Sequence, residues 1–287
     1  MPSSLVHSAK PDFRVIGTFR RRLCVVSASS VGRPEPDWRS FRAHLVRSSQ
    51  DQVENMGLES NLRLLSIQSP TLAAEGVWAH ATPVPEPGGL LLATRLTPSV
   101  LGSMEYWQVV VLLLQHTAHG SMGLVLNRPT TARVGRGRDG LPAPVHGLRD
   151  GLPSSRLYWG GAFAEHAMTL LHAGDQAPLA LGSREIAPGI HCLFGQEQVA
   201  AAASDMAQGC APLRFFAGAS VWGPGQLEQQ VEQGAWTCAA ASRSLVLKPC
   251  IQLPVPLWRE LACMLGDERA ARRAQRAPPQ APGSPAP

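Results

Sequence analysis

Ser220 is the side chain whose sequence setting comes nearest to that of a catalytic nucleophile. It lies in the segment Gly-Ala-Ser-Val-Trp at 218–222, one residue short of the G-x-S-x-G turn that exposes a serine above a sheet. Trp222 stands in place of the second glycine, and no His or Asp is identifiably paired with Ser220. Spacing alone does not establish a catalytic triad, which is defined by geometry. The segment therefore predicts a strand–helix corner on which Trp222 packs, and no catalytic residue is assigned.

His116 and His119 form an H-x-x-H pair. Two imidazoles at this spacing can share a metal ion when they lie on one face of a helix. The apolar residues before them instead indicate the end of a strand, and no third ligand is evident. The pair therefore predicts a solvated turn, and no metal site is expected.

Arg128 is the charge of greatest interest in the central part of the chain, within the tripeptide Asn127-Arg128-Pro129. Asn can fix a turn through its side chain, and Pro stops a strand ladder. A guanidinium at this position could bind a carboxylate or a phosphate. An ion pair with Glu228 or another local acid is the more ordinary interpretation, and the sequence favours it.

Residues 135–140 match the G-x-G-x-x-G pattern of dinucleotide-binding loops. Such a loop must open a helix, but Pro142 and Pro144 follow directly. The pattern therefore indicates an ordinary loop, and we expect no cofactor.

Six cysteines are spread along the chain without a C-x-x-C pair. Neither a zinc ribbon nor a thioredoxin-like motif is therefore present. We expect the cysteines to act as small buried apolar residues in a reducing compartment. They are Cys24, Cys192, Cys210, Cys238, Cys250 and Cys263.

The elements that must position these residues are predicted from apolar patterns. Asp37 is a candidate N-cap for a helix on which Trp38, Phe41 and Leu45 form one apolar stripe, expected to dock on the core or on a partner. Residues 66–88 indicate a linker and 130–155 a long loop. The predicted strands are 89–94, 107–115, 123–127, 156–159, 167–172, 190–194, 213–217, 236–240 and 244–247, and the predicted helices are 196–208, 224–233 and 256–265.

Several segments in one order resemble the AlgH-like (YqgE-like) family of uncharacterised proteins. The similarity spans roughly residues 78–266, and residues 37–43 and 78–80 resemble its plant and algal branch. Val221 stands where the family usually has glycine, and Ala219 where it usually has an aromatic residue. The matching segments are 89–94, 107–115, 120–129 (similar to G-x-x-G-[LV]-x-[LIV]-N-[RK]-P), 157–161 with its Gly-Gly pair, 215–228 and Trp236.

The resemblance implies an α+β fold: a single domain with a mixed, strongly bent sheet (a pseudo-barrel) flanked by helices. It also places three dipeptides at strand ends, where free backbone N–H groups commonly bind ligands. These candidate ligand-binding residues are Asn127, Arg128, Gly160, Gly161, Trp222 and Gly223.

The charge of the chain is concentrated at its N-terminus. Residues 1–50 hold nine basic and three acidic residues, whereas the remainder holds 17 basic and 18 acidic residues. The remainder therefore shows no electrostatic footprint for nucleic acid, and no direct nucleic-acid binding is expected. The longest strong apolar run, 109–114, is far shorter than the ~20 residues that span a bilayer, so no membrane span is expected.

Residues 1–30 have the composition of an organelle transit peptide, since they are rich in Arg, Ser and Val with Asp12 as the only acid. We expect import into the chloroplast, with the mitochondrion as the alternative. The predicted organisation is a transit peptide at 1–30, an N-terminal helix and linker at 31–88, an AlgH-like core domain at 89–266 and a disordered tail at 267–287.

The sequence predicts a non-enzymatic ligand-binding or regulatory protein of the plastid, with a small anionic ligand or a protein as its partner. Two alternatives stay open. One is a small-molecule hydrolase or redox enzyme that uses the region of Arg128 and Trp222. The other is a transcriptional regulator that acts indirectly.

Overall fold

The computed structural model describes residues 38–47, 56–134, 155–173, 182–195, 198–199 and 213–266. Helices in these residues are α1 (Trp38–Arg47), α2 (Met56–Gln68), α3 (Pro70–Ala74), α4 (Thr97–Leu101), α5 (Gln226–Glu232), α6 (Arg243–Leu247) and α7 (Leu257–Met264), with a 3₁₀ turn at Met104–Tyr106. Strands are β1 (Ala79–Ala81), β2 (Leu90–Ala93), β3 (Val110–Thr117), β4 (Gly120–Val125), β5 (Pro129–Arg133), β6 (Arg156–Trp159), β7 (Phe163–Ala173), β8 (Arg184–Ala187), β9 (Ile190–Phe194), β10 (Arg214–Trp222) and β11 (Trp236–Ala241).

The strands form one strongly bent sheet in the order β1-β11-β2-β3-β4-β10-β7-β9-β8. Strand β6 pairs in parallel with β10 and antiparallel with β5, and the other described pairs are antiparallel. The predicted α+β class with a bent, mixed sheet is thereby confirmed.

Strand β10 is where the sheet divides. Its first half pairs with β6 and β7, and its last three residues pair with β4. The change of partner follows a bulge between Ala217 and Ala219, with Gly218 in the left-handed region at φ 75°. Glycine adopts this backbone without a steric penalty, and the bulge bends the strand.

Both faces of β2 and β3 are buried. Leu90, Leu92, Val110, Leu112 and Leu114 face a core that also contains residues of α2, α3, α6 and α7. The residues between them face a second core that α5 and the segment after β2 cover. Burial on both sides explains why β3 begins with an unbroken apolar run rather than an alternating one.

Most strands predicted between residues 89 and 240 are confirmed, but the one at 244–247 is wrong. This segment is α6, and Ser244, Leu245, Val246 and Leu247 are all buried. A short apolar run that is buried all round has no periodicity to separate helix from strand. The strand predicted at 213–217 also continues to Trp222, because a bulge rather than a turn absorbs Gly218.

Two segments interpreted as irregular contain regular structure. Residues 66–88, interpreted as a linker, include α3 and β1, and β1 pairs with β11. The start of the loop predicted at 130–155 belongs to β5. The helix at the N-terminal end is confirmed as α1, but Trp38 and Phe41 are exposed, whereas Ala43 is buried. Trp38 and Phe41 therefore do not dock on the core.

Several predictions fall outside the described residues. They concern the transit peptide and Asp37, the G-x-G-x-x-G segment and most of its loop, nearly all of the helix at 196–208, the C-terminal tail, and Cys24 and Cys210.

Candidate functional site

Asn127 fixes the start of β3. Its Oδ1 accepts a hydrogen bond from the N–H of Val110 at 2.9 Å, and its Nδ2 donates to the carbonyl oxygen of Gln108 at 2.8 Å. Gln108 has φ 54°, an unusual value for a residue other than glycine. The amide therefore holds a strained segment 17–19 residues upstream, rather than the turn on which Asn127 itself lies.

Arg128 contacts the same upstream segment. Its Nη2 donates to the carbonyl oxygen of Trp107, and burial lowers the pKa of the guanidinium. The expected ion pair with Glu228 or another local acid is wrong, since Arg128 forms none with a described residue and Glu228 lies beside His116 instead. Arg128 therefore contributes to positioning the backbone before β3.

Gly160 and Gly161 are explained by a close approach of two strands. The Gly160 N–H donates to the carbonyl oxygen of Ala217 at 2.7 Å, and its own carbonyl accepts from Val125 at 2.9 Å. A Cβ on Gly160 would overlap the carbonyl oxygen of Gly218, and one on Gly161 would overlap the backbone of Ala219. Both glycines are therefore required where the chain crosses the bulge of β10.

Trp222 and Gly223 are tied to α5 by two glutamines. The indole N–H of Trp222 donates to Oε1 of Gln230 at 2.9 Å, and that of Trp236 donates to the same oxygen at 2.9 Å. The N–H of Gly223 donates to Oε1 of Gln226 at 2.9 Å. The end of β10 and the start of β11 are thus joined through one face of α5.

Four aromatic rings, which we call the aromatic cluster, lie at this end of the sheet. Tyr106 contacts Trp159 at 5.9 Å and Trp236 at 6.4 Å between ring centroids, and Trp222 meets Trp236 edge-on at 6.2 Å. Trp159 immediately precedes the Gly-Gly pair, and Tyr106 immediately precedes Trp107, whose carbonyl Arg128 contacts. The three predicted strand ends therefore meet around this cluster.

A pocket of about 270 Å³ opens beside the aromatic cluster, between α4, α5 and the end of β10. We call it the Tyr106 pocket. Of the six candidate ligand-binding residues, Trp222 lines it, and the other five are not among its lining residues. Its lining consists of Val100, Leu101, Tyr106, Ser220, Val221, Trp222, Gln226 and Gln230.

Tyr106 is the most distinctive polar group of the pocket. Burial raises the pKa of its phenol, with a smaller opposing effect from a side-chain hydrogen bond with Ser220. Its phenol is therefore neutral at physiological pH. Sequence reasoning missed Tyr106, Gln226 and Gln230, although the i, i+4 spacing of the two glutamines would place them on one helix face.

A second polar group lies beside the pocket on strands β3 and β4. Nδ1 of His116 is 2.8 Å from Oγ of Ser121, and Nε2 of His116 is 3.6 Å from Oε1 of Glu228. Ser121 is opposite Trp222 in the sheet and is 5% exposed. The turn predicted around His116 and His119 is present, but the His116 imidazole links the sheet to α5 rather than facing solvent alone.

The bent sheet divided at β10, together with its helices, defines an α+β fold. The AlgH-like family profile matches residues 93–270, and the chain belongs to this family. The resemblance predicted from the motifs is thereby confirmed.

Bacterial relatives match across most of their own length. A UPF0301 protein from Streptomyces coelicolor is 34% identical over 186 residues, covering 61% of this chain and 83% of that protein. One from Chlorobium limicola is 32% identical over 161 residues, covering 56% and 78%. The family is uncharacterised.

Two solved structures are similar to this chain at 22% identity each. The solution structure of the AlgH protein from Pseudomonas aeruginosa covers 63% of this chain and 89% of that protein, with a TM-score of 0.43. A crystal structure from Corynebacterium diphtheriae covers 62% and 86%, with a TM-score of 0.46.

Proposed function

We propose that this protein binds a small molecule in the Tyr106 pocket without transforming it, and that binding serves a regulatory role. The proposal rests on one observation: Gln230 holds two tryptophan side chains at the pocket wall. Its amide oxygen accepts from both Trp222 and Trp236, so the polar wall is ordered before any ligand arrives. A preordered pocket binds with a smaller entropic penalty.

The chemistry of the lining favours binding over catalysis. Tyr106 is protonated at neutral pH, as a phenol ordinarily is, and burial raises its pKa further. Its partner Ser220 is buried beside the carbonyl oxygen of Gly160. Among the described residues no His, Asp or Glu lines the pocket. Ser220 therefore has no general base there to activate it, as a serine nucleophile requires.

The binding site we propose differs from the one centred on Arg128. Nη2 of that guanidinium donates to the carbonyl oxygen of Trp107. Arg128 also does not line the Tyr106 pocket. We therefore move the ligand from the Arg128 guanidinium to the neutral groups of Tyr106, Gln226 and Gln230.

A thermal-shift screen of plastid metabolites tests the proposal. Wild-type protein should gain stability with at least one compound, since a ligand at a hundred times its Kd adds about 2.7 kcal/mol. Val100→Trp, at a half-buried lining position, should fold and lose that gain because the indole fills the pocket. Gln229→Trp, an exposed position of α5 outside the lining, is the matched control and should keep it. A gain that survives Val100→Trp would contradict the proposal.

A second candidate function is hydrolysis. It is favoured by three side chains in a row, in which His116 lies between Ser121 and Glu228. A serine, an imidazole and a carboxylate in contact have the roles of nucleophile, base and orienting acid. A fluorophosphonate probe should then label wild-type protein and spare Ser121→Ala, while Ser220→Ala stays labelled. Absence of labelling would leave the row as a structural link between β3, β4 and α5.

The redox alternative finds less support in the cysteines. Burial raises the pKa of Cys192, Cys238 and Cys250, so these side chains are thiols rather than reactive thiolates at neutral pH. The location in the plastid and the indirect regulation of transcription stay proposals that rest on the sequence of residues 1–30 and on the family resemblance. No helix of the described residues is long and apolar enough to cross a membrane.

A further inference from the structure

The two glutamines of the Tyr106 pocket have fixed orientations. An indole N–H is a donor and never an acceptor, so the group of Gln230 that meets Trp222 and Trp236 must be its carbonyl oxygen. The same reasoning applies to Gln226, whose oxygen accepts the backbone N–H of Gly223. Each glutamine therefore turns its NH₂ group away from these contacts.

These NH₂ groups are the donors left for a ligand. Among the described residues, neither Nε2 has a hydrogen-bond partner, and both side chains line the pocket. Each NH₂ carries two N–H donors. The Ser220 hydroxyl donates to the carbonyl oxygen of Gly160, but the Tyr106 hydroxyl, which contacts Ser220, can rotate to donate to a ligand. The described lining residues include no carboxylate.

The described lining of the pocket also lacks a full charge. None of the described lining side chains is ionised near neutral pH. A desolvated ion needs an opposite charge to offset the loss of water, and these side chains supply none. Carbonyl oxygens of a neutral ligand match the amide donors.

From these contacts we infer that the Tyr106 pocket selects uncharged molecules that carry carbonyl oxygens. This inference rests on the proposed binding function and names the class of ligand. Cations are disfavoured because the pocket offers donors to them, and anions are disfavoured because no guanidinium or ammonium is among the described lining groups.

Three probes built on an ortho-disubstituted benzene ring separate these classes: N-methylphthalimide is neutral with two carbonyls, N-methylisoindoline is a cation without them, and phthalate is an anion. Calorimetric titration of the full chain should show N-methylphthalimide binding at least tenfold more tightly than either of the others. Tyr106→Phe should weaken it about 3- to 10-fold, the range for one hydrogen bond.

Gln230→Glu is the decisive variant, because a carboxylate still accepts from both indoles but replaces the NH₂ donor by a negative oxygen. It should reverse the preference toward the N-methylisoindoline cation. Gln229→Glu adds the same charge at an exposed position outside the pocket and should leave the order unchanged.

The outcomes separate the inference from the function beneath it. Tighter binding of phthalate or of the cation to wild-type protein, abolished by Val100→Trp, would overturn the ligand class and keep the pocket. Binding of no probe, together with a metabolite screen without a hit, would overturn both. An unchanged order in Gln230→Glu would show that the glutamine donors do not select the ligand.

Discussion

At the scale of single residues, the side chains with the strongest apparent chemistry turn out to hold backbone in place. Asn127 and Arg128 contact the carbonyl oxygens of Gln108 and Trp107, and Trp222 is anchored through Gln230. The pocket instead depends on neutral amides and a phenol. Such groups carry no sequence signature, because any glutamine on a helix surface looks the same until its partner is known.

Two variants of Trp222 separate the stability that comes from packing of its ring from the stability that comes from its hydrogen bond. Trp222→Phe keeps a ring against Trp236 but loses the N–H to Gln230, so we expect a loss of about 1 kcal/mol in the free energy of unfolding. Trp222→Ala also creates a cavity and should lose about 3–5 kcal/mol. Urea unfolding measures both, with Gln233→Ala on the exposed surface as control. Equal losses in the two variants would contradict this account.

Cys238 predicts a decline of stability in alkali. Burial raises the pKa of its thiol to about 11. The thiol ionises near pH 8.5 in the unfolded chain, so stability is full below that pH and is lost as pH rises toward 11. Tyr106 and the other buried thiols act in the same direction. Urea unfolding at pH 8 and pH 10.5 should show a smaller decline in Cys238→Ala than in wild-type protein, and an equal decline would refute the assignment.

At the scale of elements, the bulge of β10 decides the architecture, because it lets one strand pair with β6 and β7 and then with β4. The end of β6 crosses this bulge so closely that a side chain has no room there. The same crossing brings Trp159 into the aromatic cluster beside Tyr106.

Gly160 tests the crossing. Gly160→Ala would force the backbone of Gly218 away, and we expect a loss of more than about 3 kcal/mol or a failure to fold. Gly223→Ala is the control, because its Cβ would meet only Oε1 of Gln226, at 3.8 Å. That variant should stay within about 1 kcal/mol of wild-type protein. A stable Gly160→Ala protein would show that the crossing is looser than described.

How far the elements were predictable depends on their burial. The apolar run at 109–114 predicts β3, and the order of the motifs predicts the family. The helix α6 was mistaken for a strand because four successive residues are buried. The acidic partner predicted for Arg128 is wrong, because the guanidinium donates to a backbone carbonyl 21 residues upstream. No charge pattern in the sequence reveals such a contact. The pocket was not predictable because it exists only where α4, α5 and β10 meet.

At the scale of the whole molecule, charge and structure divide the chain into unlike parts. The basic excess lies in residues 1–50, and the remainder is nearly neutral. The sheet and the Tyr106 pocket belong to that remainder. A near-neutral body provides little long-range attraction for a polyanion, so the absence of direct nucleic-acid binding stays a prediction from charge.

The basic N-terminal segment predicts import into the plastid. Residues 1–35 fused to a fluorescent protein should direct it to the chloroplast, and the fusion should be shortened by cleavage near residues 27–30. Microscopy and immunoblotting provide the readout. A variant with Arg20, Arg21 and Arg22 changed to Glu is the control and should stay in the cytosol. Mitochondrial fluorescence would show that the segment directs import into the mitochondrion instead. Cytosolic fluorescence of the unaltered fusion would refute import.

The central claim is that a small molecule binds in the Tyr106 pocket, and the indole N–H signals of ¹⁵N-labelled protein test it most directly. Trp222 and Trp236 donate to Gln230 at the pocket wall, whereas Trp258 donates to the carbonyl oxygen of Ala93 from the other core. A ligand found in the metabolite screen should shift the first two signals in a saturable titration and leave that of Trp258 in place. Saturable binding that moves the Trp258 signal and neither of the others would contradict the claim.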